Sequence, residues 1–391
     1  MQHNIIGFDS TPRTRLVYGV DTIDRVGELA RDLKGSRALI VTDPGIVQAG
    51  HVERARKALE SAGIHVTIFD SVRENPTTLD VDACVQAAKS ADIDLLIGLG
   101  GGSSMDTAKG CNFLLTNGGE MKDYWGVGKA TQAMLPLIAI PTTAGTGSEC
   151  QSFALIADEK THNKMACGDP KAAARVSILD PGLTISQPRG VTACTGIDAI
   201  AHAVETAVTK KRNPLSALYS REAFRLLIGN FERVLSAPED LTARSAMLLG
   251  AAYAGTAIEN SMLGAAHSMA NPLTAHYGIV HGQAVGMMLP YIVRYNAGLA
   301  ESAIYYQEMA AGACIMQPGQ SAVDAVIEAV TACLKAAGFP SNLKDCGVDE
   351  TVVPVMAAEA AAQWTANFNP RPIGVEEFHS IYMSAYDGEA A

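Results

Sequence analysis

A change of texture near residue 180 constrains this chain more than any single motif. Before it, short apolar and β-branched runs alternate with helix-like segments. The runs are Ala38–Thr42, Val66–Phe69, Leu95–Gly98, Leu135–Ile140 and Val176–Leu179, each the length of a strand buried on both faces. Between them lie Thr22–Lys34, Val52–Ala62, Leu79–Ala91 and Ser104–Leu115, and Gly35 and Gly63 close two of these as C-terminal caps. Such alternation predicts a parallel sheet covered on both sides. After Asp180-Pro181-Gly182 the chain turns to long Ala-rich amphipathic segments: Val191–Thr209, Ser216–Leu235, Thr242–Glu259, Ala322–Ala337 and Val352–Ala366. The expected class is α/β, with a parallel-sheet domain over residues 1–183, an all-helical domain over 184–391 and an active-site cleft between them.

Composition removes several function classes. With 391 residues, 48% of them hydrophobic and 18% charged, the chain can bury a large core and is not disordered. The longest apolar runs, such as Met134–Ile140, are far short of the ~18 residues of a membrane span. The start, Met1-Gln2-His3-Asn4, lacks the basic and apolar regions of a secretory signal, so a cytoplasmic location is expected. The formal charge of −11 argues against nucleic acid or anionic lipid as the main partner. Eight scattered cysteines without a CxxC pair read as reduced thiols and exclude a zinc ribbon.

Three constellations could carry chemistry. The first is Gly98-Leu99-Gly100-Gly101-Gly102-Ser103-Ser104-Met105-Asp106, which follows a strand and opens a helix. Glycines let a ligand approach the backbone, and free N–H groups at a helix N-terminus attract an anion, so the segment reads as a pyrophosphate cradle or simply a tight turn. Asp106, on the first helical turn, could cap locally or accept a hydrogen bond from a ligand. Asp43, at the end of the Ala38–Thr42 strand, could bind ribose hydroxyls and repel a 2′-phosphate, favouring NAD over NADP, or could only start the Asp43-Pro44-Gly45 turn. The second is Pro141-Thr142-Thr143-Ala144-Gly145-Thr146-Gly147-Ser148-Glu149, whose hydroxyls and amides could hold phosphates or ribose. The third is Asp198 and His202, four residues apart on one helix face among Ala, Ile and Val, followed by His267 and His281. One carboxylate and three imidazoles suit Fe²⁺ or Zn²⁺, although a lone histidine in such surroundings is more often a satisfied core residue.

On these residues the chain resembles the iron-containing, group III alcohol dehydrogenase family, from about Thr11 to Tyr386. The resemblance rests on Gly100 to Asp106, Pro141 to Glu149, Gly196-Ile197-Asp198 to Glu205, His267 and His281. It implies a nucleotide-binding domain followed by a helical domain that binds metal and substrate. It implies a divalent metal, Fe²⁺ ahead of Zn²⁺, on Asp198, His202, His267 and His281. It also implies NAD surrounded by Asp43, Gly100, Gly101, Gly102, Ser103, Asp106, Thr142, Thr143, Thr146, Ser148, Lys164 and Leu183. Members commonly dimerise through the segment matching Leu16-Val17-Tyr18, so a homodimer or higher homo-oligomer is expected. Many carry a further histidine four residues after the third ligand; here Asn271 stands there, and nearby His276 could replace it beside His267 and His281 as a catalytic group.

The implied reaction is reversible oxidation of a small primary or short-chain alcohol to an aldehyde or ketone by hydride transfer to NAD, with the metal as Lewis acid. The partner is then a small alcohol or aldehyde, with no nucleic acid and no membrane. A lyase resembling dehydroquinate synthase, which uses NAD transiently, is the alternative, but no Lys/Arg cluster for a phosphorylated substrate surrounds Asp198 to His281. Arg371, in Phe368-Asn369-Pro370-Arg371-Pro372, could greet an acidic substrate or pair with a carboxylate.

Overall fold

The computed structural model describes residues 7–161 and 163–388, so the Met1–Asn4 start lies outside the described residues. The described residues divide into two compact units, 11–187 and 188–388, the latter joined by 7–10. Nine strands occur among the described residues, all in the first unit. They are β1 (Arg15–Tyr18), β2 (Arg37–Val41), β3 (His65–Phe69), β4 (Leu95–Gly100), β5 (Gly126–Val127), β6 (Leu137–Pro141), β7 (Phe153–Ala157), β8 (Lys164–Gly168) and β9 (Val176–Leu179). The helices of this unit are α1 (Val26–Asp32), α2 (Pro44–Gln48), α3 (His51–Ser61), α4 (Thr78–Ser90) and α5 (Gly102–Asn117).

Six strands form one sheet in the order β1-β9-β6-β4-β2-β3, and every neighbouring pair is parallel. The central strands β4 and β6 are buried along their whole length, because both faces are covered. On one face Leu39, Val41 and Leu96 pack with Val81, Cys84 and Met105 of α4 and α5. On the other, Ala38, Ile40 and Ile97 pack with Leu29, Val52 and Leu59 of α1 and α3. Parallel register places Val41 opposite Gly98 and Gly100 opposite Pro141, so the chain leaves β2, β4 and β6 along one edge. At that edge of an open α/β sheet ligands bind.

Three details differ from the sequence expectation. A second sheet, β5-β8-β7, contains an antiparallel β7/β8 pair joined by the turn around Asp158, and β7 and β8 together hold only one β-branched residue, Ile156, to announce them. The Thr22–Lys34 segment begins as a 3₁₀ turn, Thr22–Arg25, before α1. Ser216–Leu235 is two helices, broken at Gly229-Asn230.

The second unit is helical among the described residues: α6 (Arg189–Thr206), α7 (Pro214–Ile228), α8 (Phe231–Ser236), α9 (Leu241–Ser261), α10 (Ala265–Tyr277), α11 (His281–Ala297), α12 (Ala300–Gly312), α13 (Ala322–Ala337), α14 (Val353–Ala362) and α15 (Val375–Asp387). Helix α6 packs against α7, α9 and α11. The α6–α11 crossing is set by glycine: a Cβ on Gly282 would lie 2.0 Å from the Cys194 carbonyl oxygen, and one on Gly286 would lie 2.3 Å from Ile197 Cγ2. This close approach brings the first residue of α11, His281, to the face of α6.

The crossing is testable by packing alone. Gly282→Ala should destabilise the protein by about 1–3 kcal/mol or more, because backbone must yield. Gly190→Ala, in α6 and with nothing within 4 Å of the added Cβ, should be neutral or mildly stabilising. Urea midpoints measure both, and equal midpoints for the two variants would contradict the packing described.

Candidate metal centre and nucleotide loops

Helix α6 presents Asp198, His202 and Glu205 on one face, at spacings of four and three residues. Helix α10 contributes His267 from its first turn, and α11 begins with His281. The Asp198 Oδ1 atom is the hub: it lies 3.4 Å from His267 Nε2, 3.5 Å from His202 Nε2 and 3.8 Å from His281 Nε2. The His202 and His267 rings stack at 4.9 Å between centroids, and the His267 and His281 rings meet at 5.5 Å. Donor atoms of Asp198, His267 and His281 all fall within 4.8 Å of one another. Asp198, His202 and His267 are buried, whereas His281 is partly exposed.

These separations are too long for good hydrogen bonds. The three from Asp198 Oδ1 lie near the edge of about 3.4 Å that a tetrahedron with ligand bonds of about 2.1 Å would have, while His202 stands outside the group whose donors all lie within 4.8 Å of one another. Asp198 Oδ1 and His267 Nε2 are buried with no hydrogen-bond partner, which would be costly unless a cation joined them. One carboxylate oxygen and three imidazole nitrogens, all hard or borderline donors, fit a divalent transition metal. Burial works against ionising Asp198, but the three imidazoles hold its carboxyl well below the usual range. Burial likewise disfavours charge on His267, but the Glu205 and Asp198 carboxylates outweigh it and lift its pKa to about 9. The site is thus built to hold positive charge.

Glu205 was not singled out from the sequence. Its Oε2 pairs with His267 Nδ1, and its Oε1 accepts from the Ala266 N–H at 2.7 Å. The available signal was its place seven residues after Asp198, on the same helix face. His276 stands apart from the cluster: its Nε2 bonds Glu359 Oε2 at 2.8 Å on α14. Asn271 donates to Gln363 Oε1 at 3.0 Å. Arg371 lies over the Tyr295 ring at 4.0 Å and donates to the Tyr295 carbonyl at 2.8 Å.

In the first unit, the loops after β2, β4 and β6 meet. Asp43 accepts from the Gly45 and Ile46 N–H groups through Oδ1, so it does start the α2 turn. Its Oδ2 faces the glycine run, 3.4 Å from where a Gly100 Cβ would stand. Gly100 has φ +149°, and Cβ atoms on Gly100 and Gly102 would lie 2.4 Å from Ser104 Oγ and 2.8 Å from Thr146 Cγ2. Only glycine lets these loops close on each other. Gly101 heads α5 without a capping side chain, leaving first-turn N–H groups for a ligand. Ser103 and Thr143 are partly exposed there, and Thr142 Oγ1 is buried without a partner.

Asp106 and Ser148 are bound to each other, Ser148 Oγ donating to Asp106 Oδ1 at 2.8 Å. Fully buried Lys109 donates to the Ser148 carbonyl, Ser148 Oγ and the Phe153 carbonyl at 2.6, 2.8 and 2.9 Å. This network braces the Thr142–Glu149 loop against α5. Lys164 is exposed at the start of β8, and Leu183 is buried in the core under the sheet. Neighbouring Glu149 is buried with Oε1 unpartnered, and burial pushes its pKa up to about 7.

Residues 12–181 match the family described as iron-containing alcohol dehydrogenase, and residues 192–386 match the C-terminal region of the Fe-containing alcohol dehydrogenase family. The chain is 33% identical over 374 residues to the 1,3-propanediol dehydrogenase of Klebsiella pneumoniae, covering 94% of this chain and 96% of that one. It is 32% identical over 370 residues to the NAD-dependent methanol dehydrogenase of Bacillus methanolicus, covering 94% and 97%. A solved structure of a 1,3-propanediol oxidoreductase matches with a TM-score of 0.93 at 34% identity, covering 97% of this chain and 100% of that one.

Glu149 makes stability depend on pH. Its folded pKa of about 7 lies above the ordinary 4.5, so the fold favours the neutral acid. That contribution, on the order of 3 kcal/mol, is full below the unfolded value and is lost as pH rises through about 7. The gap in melting temperature between wild type and Glu149→Gln should therefore shift in favour of the variant from pH 5 to pH 8. A gap independent of pH would contradict the assignment.

Proposed function

The chain belongs to the iron-containing alcohol dehydrogenase family, and on that premise we propose that it is an NAD-linked, divalent-metal-dependent enzyme that reversibly oxidises a small primary alcohol to its aldehyde. The observation that carries the reading is the Asp198 hub, with its unpartnered oxygen among three imidazoles. Relatives named for 1,3-propanediol and methanol support a short substrate, and one of those names specifies NAD. They also favour net redox chemistry over the lyase alternative.

Asp198, His202, His267 and His281 would hold the metal, and the loops after β2, β4 and β6 would hold the dinucleotide. When bound, the metal supplies Lewis acidity to the alcohol oxygen, and the nicotinamide accepts or returns the hydride. The chain's own contribution is electrostatic and positional. Asp198 supplies one negative charge against a dication, leaving the centre net positive and suited to a developing alkoxide. Burial of Asp198, His202 and His267 keeps water from their donor atoms, while His281 is partly exposed. The α5 N-terminus and the glycine run offer backbone N–H groups to a pyrophosphate. Asp43 Oδ2 supplies an acceptor for ribose hydroxyls and a like charge that rejects a 2′-phosphate.

The expected self-association has an edge available in β1, where Leu16 and Tyr18 are exposed. Among the described residues no helix is long and apolar enough to cross a membrane. The eight cysteines form no disulfide among the described residues, and the cytoplasm is the location proposed for the chain.

His267→Ala should lower turnover about a thousand-fold or more and strip bound metal, since the Lewis-acid contribution is worth several kcal/mol. NADH affinity, followed by fluorescence titration, should change little. The measurement is metal content combined with an NADH-linked screen of alcohols and aldehydes. Lost NADH affinity with retained turnover would contradict the proposal.

A further inference from the structure

We infer that Glu205 is the positioning residue of the metal centre: it fixes the tautomer of His267 and the start of α10 with a single carboxylate. The inference rests on the reading that Asp198, His202, His267 and His281 hold a divalent metal. Glu205 is buried, and both its oxygens are committed to consecutive residues of α10. Oε1 accepts from the Ala266 N–H at 2.7 Å, while Oε2 pairs with His267 Nδ1. An ionised carboxylate only accepts, so the shared proton belongs to Nδ1. The Nε2 lone pair is then left facing Asp198 Oδ1, 3.4 Å away. Nδ1 and Nε2 thus have fixed, opposite duties, the first as donor and the second as ligand.

The same carboxylate replaces a missing cap. Gly264 heads α10 without a capping side chain, and the Ala266 N–H is satisfied from α6 instead. A Cβ at Gly264 would stand 3.2 Å from Glu205 Oε1 and 3.3 Å from Asn369 Oδ1, so glycine keeps this contact open. Asn369 is itself held by a reciprocal amide pair with Asn296, at 3.0 and 2.8 Å. The ring orientation of His267 is therefore set by α6, the helix that also carries Asp198 and His202.

The isosteric variant Glu205→Gln separates this role from simple packing. An amide accepts at one end and donates at the other, whereas this position requires two acceptors. Turned one way, the substituted amide donates to His267 Nδ1 and moves the ring proton onto the ligating Nε2; turned the other, it opposes the Ala266 N–H. Zn²⁺ affinity of purified protein, measured by chelator competition, should fall about 10- to 100-fold in Glu205→Gln, with far-UV circular dichroism unchanged. Unchanged Zn²⁺ affinity in a folded Glu205→Gln would overturn the inference while leaving the metal centre standing. Wild type that binds Zn²⁺ no better than His267→Ala would overturn the metal reading itself. ¹H–¹⁵N correlation of histidine side chains in Zn²⁺-loaded wild type needs no variant: His267 should carry its proton on Nδ1 and ligate through Nε2. The reverse pattern would overturn the inference even if Glu205→Gln failed to fold.

Discussion

A buried carboxylate with one oxygen unclaimed by any donor is the constraint on which the helical unit depends. Asp198 cannot sit in the interior of α6 among Ala and Ile unless positive charge reaches it. Three imidazoles surround its Oδ1 at 3.4–3.8 Å, and each arrives on a different stretch of chain or a different turn. The helix geometry follows from that need. His202 comes from the next turn of α6, His267 from the start of α10 and His281 from the start of α11. Gly282 allows α11 to approach α6 at backbone distance, and Gly264 leaves room for the carboxylate that steadies His267. Stability and function are coupled here, because the same close contacts that close the core also assemble the donor set.

The sheet unit solves a different problem by the same economy of side chains. A parallel register carries the loops after β2, β4 and β6 to one edge, and glycines let them interlock. The polar groups sort into two jobs. Asp106, Lys109 and Ser148 satisfy one another and brace the loop, while the N-terminus of α5 carries no capping side chain and Asp43 Oδ2 faces the glycine run. Asp43 does both: one oxygen caps α2, and the other stays available.

Much of this was legible in the sequence because the signals were periodic or dense. The buried strands, the glycine run and the i, i+4 pair of Asp198 and His202 are local patterns with a direct physical meaning. What was not legible depended on partners distant in sequence. Glu205 reads as one more polar residue on a helix until α10 brings Ala266 and His267 against it. The roles of Asp106 and Ser148 turn on Lys109, whose burial no one-dimensional pattern reveals. The β7/β8 pair was missed because its strands hold a single β-branched residue, Ile156, and so look unlike the Val- and Ile-rich runs of the main sheet. By sequence alone His276 reads as a substitute for the histidine that Asn271 displaces, and only the fold reveals its bond to Glu359.

The central claim is that one carboxylate and three imidazoles form a single metal centre. X-ray absorption at the metal edge of the loaded protein tests it most directly. The first shell should contain only nitrogen and oxygen at about 2.0–2.2 Å, with the outer-shell scattering of about three imidazole rings. A sulfur shell near 2.3 Å, or no imidazole scattering, would place the metal on other residues and contradict the account.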